Sequence, residues 1–173
     1  TFPVGITTNT FEVTDAAGNK TSCSFTVTVI DNQAPTITCP ANISVNNTPG
    51  TCGAAVTYTT PVGTDNCSGA TTTQTAGLAS GATFPVGTTT NTFEVTDAAG
   101  NKISCSFTVT VVDNQAPTIT CPANISVNNT SGTCGAAVTY TTPVGTDNCS
   151  GGITTQTAGL ASGATFPVGT TTN

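Results

Sequence analysis

Shifting the sequence by 82 positions lays residues 1–91 over 83–173 with only six mismatched pairs: Ile6/Thr88, Thr21/Ile103, Ile30/Val112, Pro49/Ser131, Ala70/Gly152 and Thr71/Ile153. Near-identity at a fixed period of this size is the signature of a tandem-repeat architecture, in which each period folds as one small unit beside its neighbours. The 173 residues are not a whole number of such periods, so the chain is expected to be a segment of a longer array.

Composition narrows what such a unit does. Charged residues make up 6% of the chain, against roughly 25% in an ordinary soluble domain. The only bases are Lys20 and Lys102, and the net charge is −6. A chain with no Arg and so few bases cannot neutralise phosphates, which argues against nucleic-acid binding. Attraction to anionic lipid fails on the same count. Membrane insertion is not expected either, because no run of about 18 apolar residues occurs. Four Cys per repeat at identical offsets read as disulfides and hence an oxidising, extracellular or cell-surface location. A zinc site is disfavoured, since there is no Cys-x-x-Cys and no His.

The stretch Cys105–Val112 alternates strictly. Cys105, Phe107, Val109 and Val111 face one way, with Ser104, Ser106, Thr108 and Thr110 on the other. That is the period-two pattern of a half-buried strand. Phe93 and Val95 alternate likewise with Thr92, Glu94 and Thr96, and Asp97-Ala-Ala-Gly-Asn101 joins the two runs as a hairpin loop. A further strand is expected over 54–59, with Ala54, Val56 and Tyr58 inward. An opening strand is expected through Ile37 with Cys39 and Ile43 with Val45, broken at Pro40. Nothing reads as a helix. About seven short strands per repeat predict an all-β chain of tandem immunoglobulin-like antiparallel β-sandwiches. The segment Val-x-Asp-Asn-Gln-Ala-Pro at 29–35 and 111–117 marks the boundaries. It divides the chain into 1–30, the last part of one repeat; 31–112, a complete repeat; and 113–173, the first part of the next.

These residues resemble the hyalin repeat (HYR) family. The matching run is Asp31-Asn-Gln-Ala-Pro35, Cys39-Pro40, Asp65-Asn66, Phe84-Pro-Val-Gly87, Asp97-Ala-Ala-Gly-Asn101 and Cys105-Ser-Phe-Thr-Val-Thr-Val111. The additional Cys52-Gly53 and Asn66-Cys67 resemble variants found in secreted bacterial multi-repeat proteins. The resemblance covers the whole chain. It implies an immunoglobulin-like extracellular module linked with adhesion, and no catalytic activity.

Cys39 is expected to pair with Cys105, tying the opening strand to the closing one at inward positions. Cys23 with Cys39 is rejected: each lies eight residues from Asp31 on opposite sides, and extended strands at about 3.3 Å per residue hold them far apart. Cys23 and Cys121 are then expected to pair outside these residues, or to join successive repeats. For the second pair the preferred reading is Cys52 with Cys67 and Cys134 with Cys149, because the 15-residue loop closes at little cost. The alternative joins Cys52 to Cys149 of the next repeat.

In a sandwich of this type Asp31, Asn32, Asp65, Asn66, Asp97 and Asn101 are expected to converge at one pole. Hard oxygen ligands at a module junction suit Ca²⁺, although Asp and Asn in turns commonly serve local backbone groups instead. The linker Asp-Asn-Gln-Ala-Pro partly resembles the calcium-binding linker of cadherins. No cofactor is otherwise required. Asn-x-Ser/Thr triplets make Asn19, Asn42, Asn46, Asn66, Asn124, Asn128, Asn129 and Asn148 candidates for glycosylation. Dense outward Thr suits the solvent face of a strand and also accommodates O-glycans. An enzyme is not expected, for lack of His, of a Ser-His or Cys-His pair, and of a phosphate-binding loop.

The functional expectation is a structural or adhesive extracellular stalk or fibre with disulfide-stiffened repeats and self-association between them. The alternatives are a carbohydrate- or protein-binding adhesion module, and spacer repeats of a larger secreted enzyme.

Overall fold

Ten β-strands and no helix form the regular structure of the computed structural model, which describes all 173 residues. The strands are β1 (Gly5–Thr14), β2 (Lys20–Val29), β3 (Ile43–Asn46), β4 (Gly53–Ala55), β5 (Thr71–Ala76), β6 (Thr83–Pro85), β7 (Gly87–Thr96), β8 (Lys102–Val112), β9 (Gly135–Ala137) and β10 (Thr165–Pro167). Hydrogen bonding orders them as β1-β2, β3-β8-β7-β5, β4-β6 and β10-β9. The chain is all-β. It divides into two compact units: Thr1–Ile43, Val56–Thr83 and Thr88–Thr110 form the first, and Ser44–Ala55, Phe84–Gly87 and Val111–Asn173 the second.

In the first unit the alternation of β7 and β8 does what its period requires. Phe93, Val95, Phe107 and Val109 are each no more than 2% exposed, while Glu94 and Thr108 are half-buried on the other face. Phe93 and Phe107 lie parallel with centroids 6.4 Å apart. The Tyr58 ring meets both edge-on, at 6.3 and 4.9 Å. Edge contacts of this kind add to area burial because the positive ring edge meets a negative face. Loop 97–101 closes through the Asp97 N–H to the Asn101 carbonyl at 3.0 Å, with Gly100 at φ +94°, a conformation open to Gly. β5 pairs antiparallel with β7 from Thr71↔Thr96, with an irregularity between Gln74 and Ala76.

Nearly the same sequence is more exposed at β1 and β2. These pair in unbroken register from Gly5↔Val29 to Thr14↔Lys20, and Phe11 stacks on Phe25 at 6.1 Å. Yet Phe11, Val13 and Phe25 are all more than half exposed. Residues 1–30 are only the last part of a repeat, and the equivalents of the segments that cover β7 and β8 lie outside these residues.

Two strand expectations are corrected. The strand expected over 54–59 ends at Ala55. Beyond it the Val56 N–H bonds Ala82, and the Tyr58 N–H is taken by the Ser80 hydroxyl at 2.8 Å, so a side chain replaces the ladder. The burial alternation of Ala54, Val56 and Tyr58 survives even so. Of the opening strand, the part with Ile43 and Val45 forms β3, while the part through Ile37 and Cys39 is reduced to a bridge between Thr36 and Thr64 flanked by Pro35 and Pro40, leaving six strands within 31–112. Proline lacks the N–H that a longer ladder needs.

In the second unit β9 pairs with β10 through Thr165↔Ala137, Phe166↔Ala136 and Pro167↔Gly135. Turn 48–53 is closed by the Thr48 N–H to Gly53 and the Thr51 N–H to Thr48.

Candidate functional site

A set of specific contacts in the second unit joins residues of the 31–112 repeat to those of the next. Asn47, 5% exposed, is its centre. Its backbone N–H donates to Val112 at 2.9 Å, its Nδ2 donates to the Thr51 carbonyl at 2.9 Å, and its Oδ1 accepts the Asn114 N–H at 3.2 Å. Gln115 Oε1 accepts the Gly50 N–H at 2.7 Å, and Asp113 Oδ1 accepts the Gln115 N–H. The linker Asp113-Asn-Gln115 is therefore bonded on both sides of its path. The sequence signals a turn at Asn46-Asn-Thr-Pro-Gly50 but not this clamp. Nothing in a turn-forming Asn distinguishes one that closes its own loop from one that also clamps a distant strand.

Next to this clamp, Asn148 Nδ2 donates to the Thr51 carbonyl at 2.8 Å, and the Cys149 N–H is held by Asp147 Oδ2 at 3.2 Å. These bonds bring Cys149 to Cys52 with Cα atoms 4.9 Å apart, and the two form a disulfide. That separation is within the range a disulfide spans. The preferred pairings, Cys52 with Cys67 and Cys134 with Cys149, are thus replaced by the between-repeat alternative. Cys67 and Cys134 carry free thiols. Cys39 and Cys105 are bonded as expected, with Cα atoms 5.8 Å apart. Cys23 and Cys121 are free and exposed.

The acids expected at one pole divide into two groups. Asp31 and Asp65 come together with Cys67, one ligand atom of each lying within 4.8 Å of the others. A hydrogen bond to Asp31, desolvation and the charges of Asp31, Asp65 and Asp97 push the Cys67 thiol above its ordinary value. Asp97 and Asn101 instead serve their own loop. Asp97 Oδ1 accepts the N–H groups of Ala99 and Asn101, and Oδ2 accepts Asn101 Nδ2 at 2.7 Å. Burial alone would raise the Asp97 pKa; these bonds outweigh it and hold the carboxyl below 3.8. Asn101 Nδ2 also reaches the Asp31 and Gln33 carbonyls. Asn32 is exposed, and the Asn66 amide nitrogen, oriented to satisfy both ends, donates to Asp65 at 3.1 Å.

The next repeat has the matching trio Asp113, Asp147 and Cys149, whose sulfur is engaged in the disulfide. Here Asp147 Oδ1 and Asn148 Oδ1 are buried without a hydrogen-bond donor. The orphaned Asp147 oxygen, on a carboxylate beside that of Asp113, fits a hard cation such as Ca²⁺, which takes oxygen ligands. A thiol does not fit it, so Cys67 and Cys149 fall outside any such ligand set.

Of the glycosylation candidates, Asn19, Asn42, Asn46, Asn66, Asn124, Asn128 and Asn129 are exposed. Asn148 is half-buried with its Nδ2 engaged at Thr51, where a glycan would displace the bond beside the disulfide.

Comparison with known proteins bears on this arrangement. The profile of the HYR domain matches residues 1–29, 30–111 and 112–173. The chain is 40% identical to a hyalin of Strongylocentrotus purpuratus over 175 residues, which cover 98% of this chain and 14% of that protein. It is 36% identical to a hyalin of Lytechinus variegatus over 177 residues, 98% of this chain and 33% of that protein. It is also 32% identical over 123 residues to a serine-rich adhesin for platelets of Staphylococcus aureus, 64% of this chain and 5% of that protein. The chain thus spans a third or less of these relatives. Its disulfides agree with an oxidising environment. This is an extracellular or cell-surface protein, and it belongs to the HYR domain family.

Proposed function

We propose that the chain is a structural and adhesive extracellular repeat, whose units 1–30, 31–112 and 113–173 are parts of immunoglobulin-like modules set end to end in a stalk or fibre. The observation that carries this reading is the joint itself. Linker 113–115 is hydrogen-bonded to Asn47 and Gly50, and the Cys52–Cys149 disulfide spans the same junction. A linker meant only to tether leaves its backbone to water. This one has a covalent second strut, which suits a protein that must transmit load or hold a fixed spacing. The names of its relatives, hyalin and adhesin, support a surface role. Its partners in this reading are further repeats of its own kind, with glycans on the exposed Asn and Thr residues.

Calcium is part of the proposal, at Asp31 with Asp65 and at Asp113 with Asp147. A bound cation would neutralise carboxylates held close together and add a non-covalent strut.

Limited proteolysis of the soluble chain tests both parts. Cleavage within 111–134 should be slow in the oxidised protein and accelerate after reduction. Equal rates in the two states would overturn the disulfide strut. Chelation should raise the cleavage rate of the oxidised protein, and an unchanged rate would remove calcium from the joint.

A further inference from the structure

The cysteines of the two disulfides alternate along the chain, in the order Cys39, Cys52, Cys105, Cys149. Cys39 is bonded to the third of these and Cys52 to the fourth, so the bridges interleave. No point of the backbone between Cys39 and Cys149 then lies outside both of them. Two covalent routes join Cys39 to Cys149, each shorter than the backbone itself. One follows thirteen positions to Cys52 and crosses there. The other crosses at once to Cys105 and follows 44 positions through the end of β8 and the linker. At about 3.4 Å per extended residue, the first route is taut at about 45 Å and the second at about 150 Å.

The short route is held along β8. Cys39 is bonded to Cys105, Asn42 Oδ1 accepts the Thr108 N–H at 2.9 Å, and the Asn47 N–H donates to the Val112 carbonyl at 2.9 Å. Position numbers rise together on the two segments, so 39–47 runs in the direction of β8 and ends at the turn that carries Cys52. That turn is closed by the Thr48 N–H to Gly53 and gripped from the next repeat by Asn148 Nδ2 at the Thr51 carbonyl. Both ends of the route are thus fixed before any tension is applied.

We propose that the interleaved bridges set a redox-controlled length limit for the joint. Tension at full extension passes through 39–52 and the Cys52–Cys149 bond, while linker 113–115 and the packed strands β7 and β8 lie off the taut route. The linker's hydrogen bonds position the joint, and the sulfurs limit how far it opens. The same order of cysteines makes the chain tolerant of damage. A single backbone cut anywhere between Cys39 and Cys149 leaves the two pieces bonded, including a cut in the exposed turn 48–51, the kind of site that proteases reach first. Reduction removes both properties together.

This deepens, and rests on, the reading of the chain as an extracellular repeat that holds a fixed spacing. The proteolysis test above reads the rate of cutting and not the length limit, so the two fail separately. The experiment is force–extension of single chains held at Thr1 and Asn173, with free thiols capped by alkylation. The oxidised chain should stop about 320 Å short of the reduced one, because 97 residues stay enclosed. Cys39→Ser should leave that limit unchanged, since its bridge is off the shortest route. Cys52→Ser should lengthen it by about 100 Å, because the enclosed span falls from 97 residues to 66. The limit is read on the fully unravelled chain, so a variant of low stability still reports it. As a second readout, oxidised chain cut once within 111–134 should run as one species without reductant and as two with it. The proposal fails if the oxidised chain reaches the reduced length, if its limit matches 66 enclosed residues, if Cys39→Ser lengthens it, or if the cut pieces part without reductant.

Discussion

Asn47 Oδ1 accepts the backbone N–H of Asn114 across 67 positions of sequence, while its Nδ2 holds the Thr51 carbonyl next to the bridging Cys52. One buried amide thus ties the linker of the following repeat to the turn that presents the disulfide. Asn47→Ala should cost about 1–3 kcal/mol, because the Asn114 N–H loses its protein partner and the Thr51 carbonyl keeps only the Asn148 amide. Asn47→Asp keeps the acceptor and loses the donor, so the Asn114 amide should stay protected from hydrogen exchange while the Thr51 turn loosens. Exchange measured at both positions separates these outcomes.

Cys39→Ser removes a bridge that closes a 66-residue separation, worth about 4 kcal/mol in chain entropy. It should lower the melting temperature of the oxidised chain while Cys52–Cys149 persists in the peptide map. An unchanged melting temperature would mean that the bridge adds nothing beyond the packing of Phe93 and Phe107.

The same residue type in two repeats allows an internal control. Phe93→Ala opens a cavity in the packed face and should cost about 3–5 kcal/mol. Phe11→Ala should cost far less, about 0.5–1.5 kcal/mol, because the ring is mostly exposed and loses only its stack on Phe25. Chemical denaturation of both variants measures the difference.

Alkylation of Cys67 should require a higher pH than an ordinary thiol does, because its hydrogen bond to Asp31 and the neighbouring carboxylates disfavour the thiolate. Asp31→Asn removes the hydrogen-bond acceptor charge and should shift the rate–pH profile to lower pH. A profile that does not move would show that Asp31 is not the main cause.

Acid should release the 97–101 loop. The Asp97 pKa is depressed in the folded chain, so its contribution is fully present above the ordinary carboxylate value of 3.8 and is lost as pH falls through the folded value. Amide exchange at Ala99 and Asn101, whose N–H groups Asp97 holds, should accelerate in that acid window and not between pH 5 and 7. Asp97→Asn should abolish the pH step.

Local pattern made much of this legible. Strict alternation placed Phe93, Val95, Phe107 and Val109 on one face, and Asp97–Asn101 read correctly as a hairpin loop. The inward Cys39 and Cys105 were paired correctly on the same ground. The strand's end at Ala55 was not foreseen, because a Ser80 hydroxyl competing for the Tyr58 N–H leaves no trace in the 54–59 pattern. The acidic pole was half legible. Asp31 and Asp65 converge, but Asp97 and Asn101 spend their hydrogen bonds on their own turn, and the thiol of Cys67 takes a place in the group.

By itself the sequence determined the period, the all-β character and which residues of each strand share a face, since these follow from neighbours a few positions apart. Tertiary structure alone decided which distant segments meet. Asn47 closes its own turn and also holds the Asn114 N–H, and Cys52 bonds Cys149 rather than Cys67. Burial, ladder hydrogen bonds and disulfide partners are properties of pairs distant in sequence, which the local pattern of a strand or a turn does not encode.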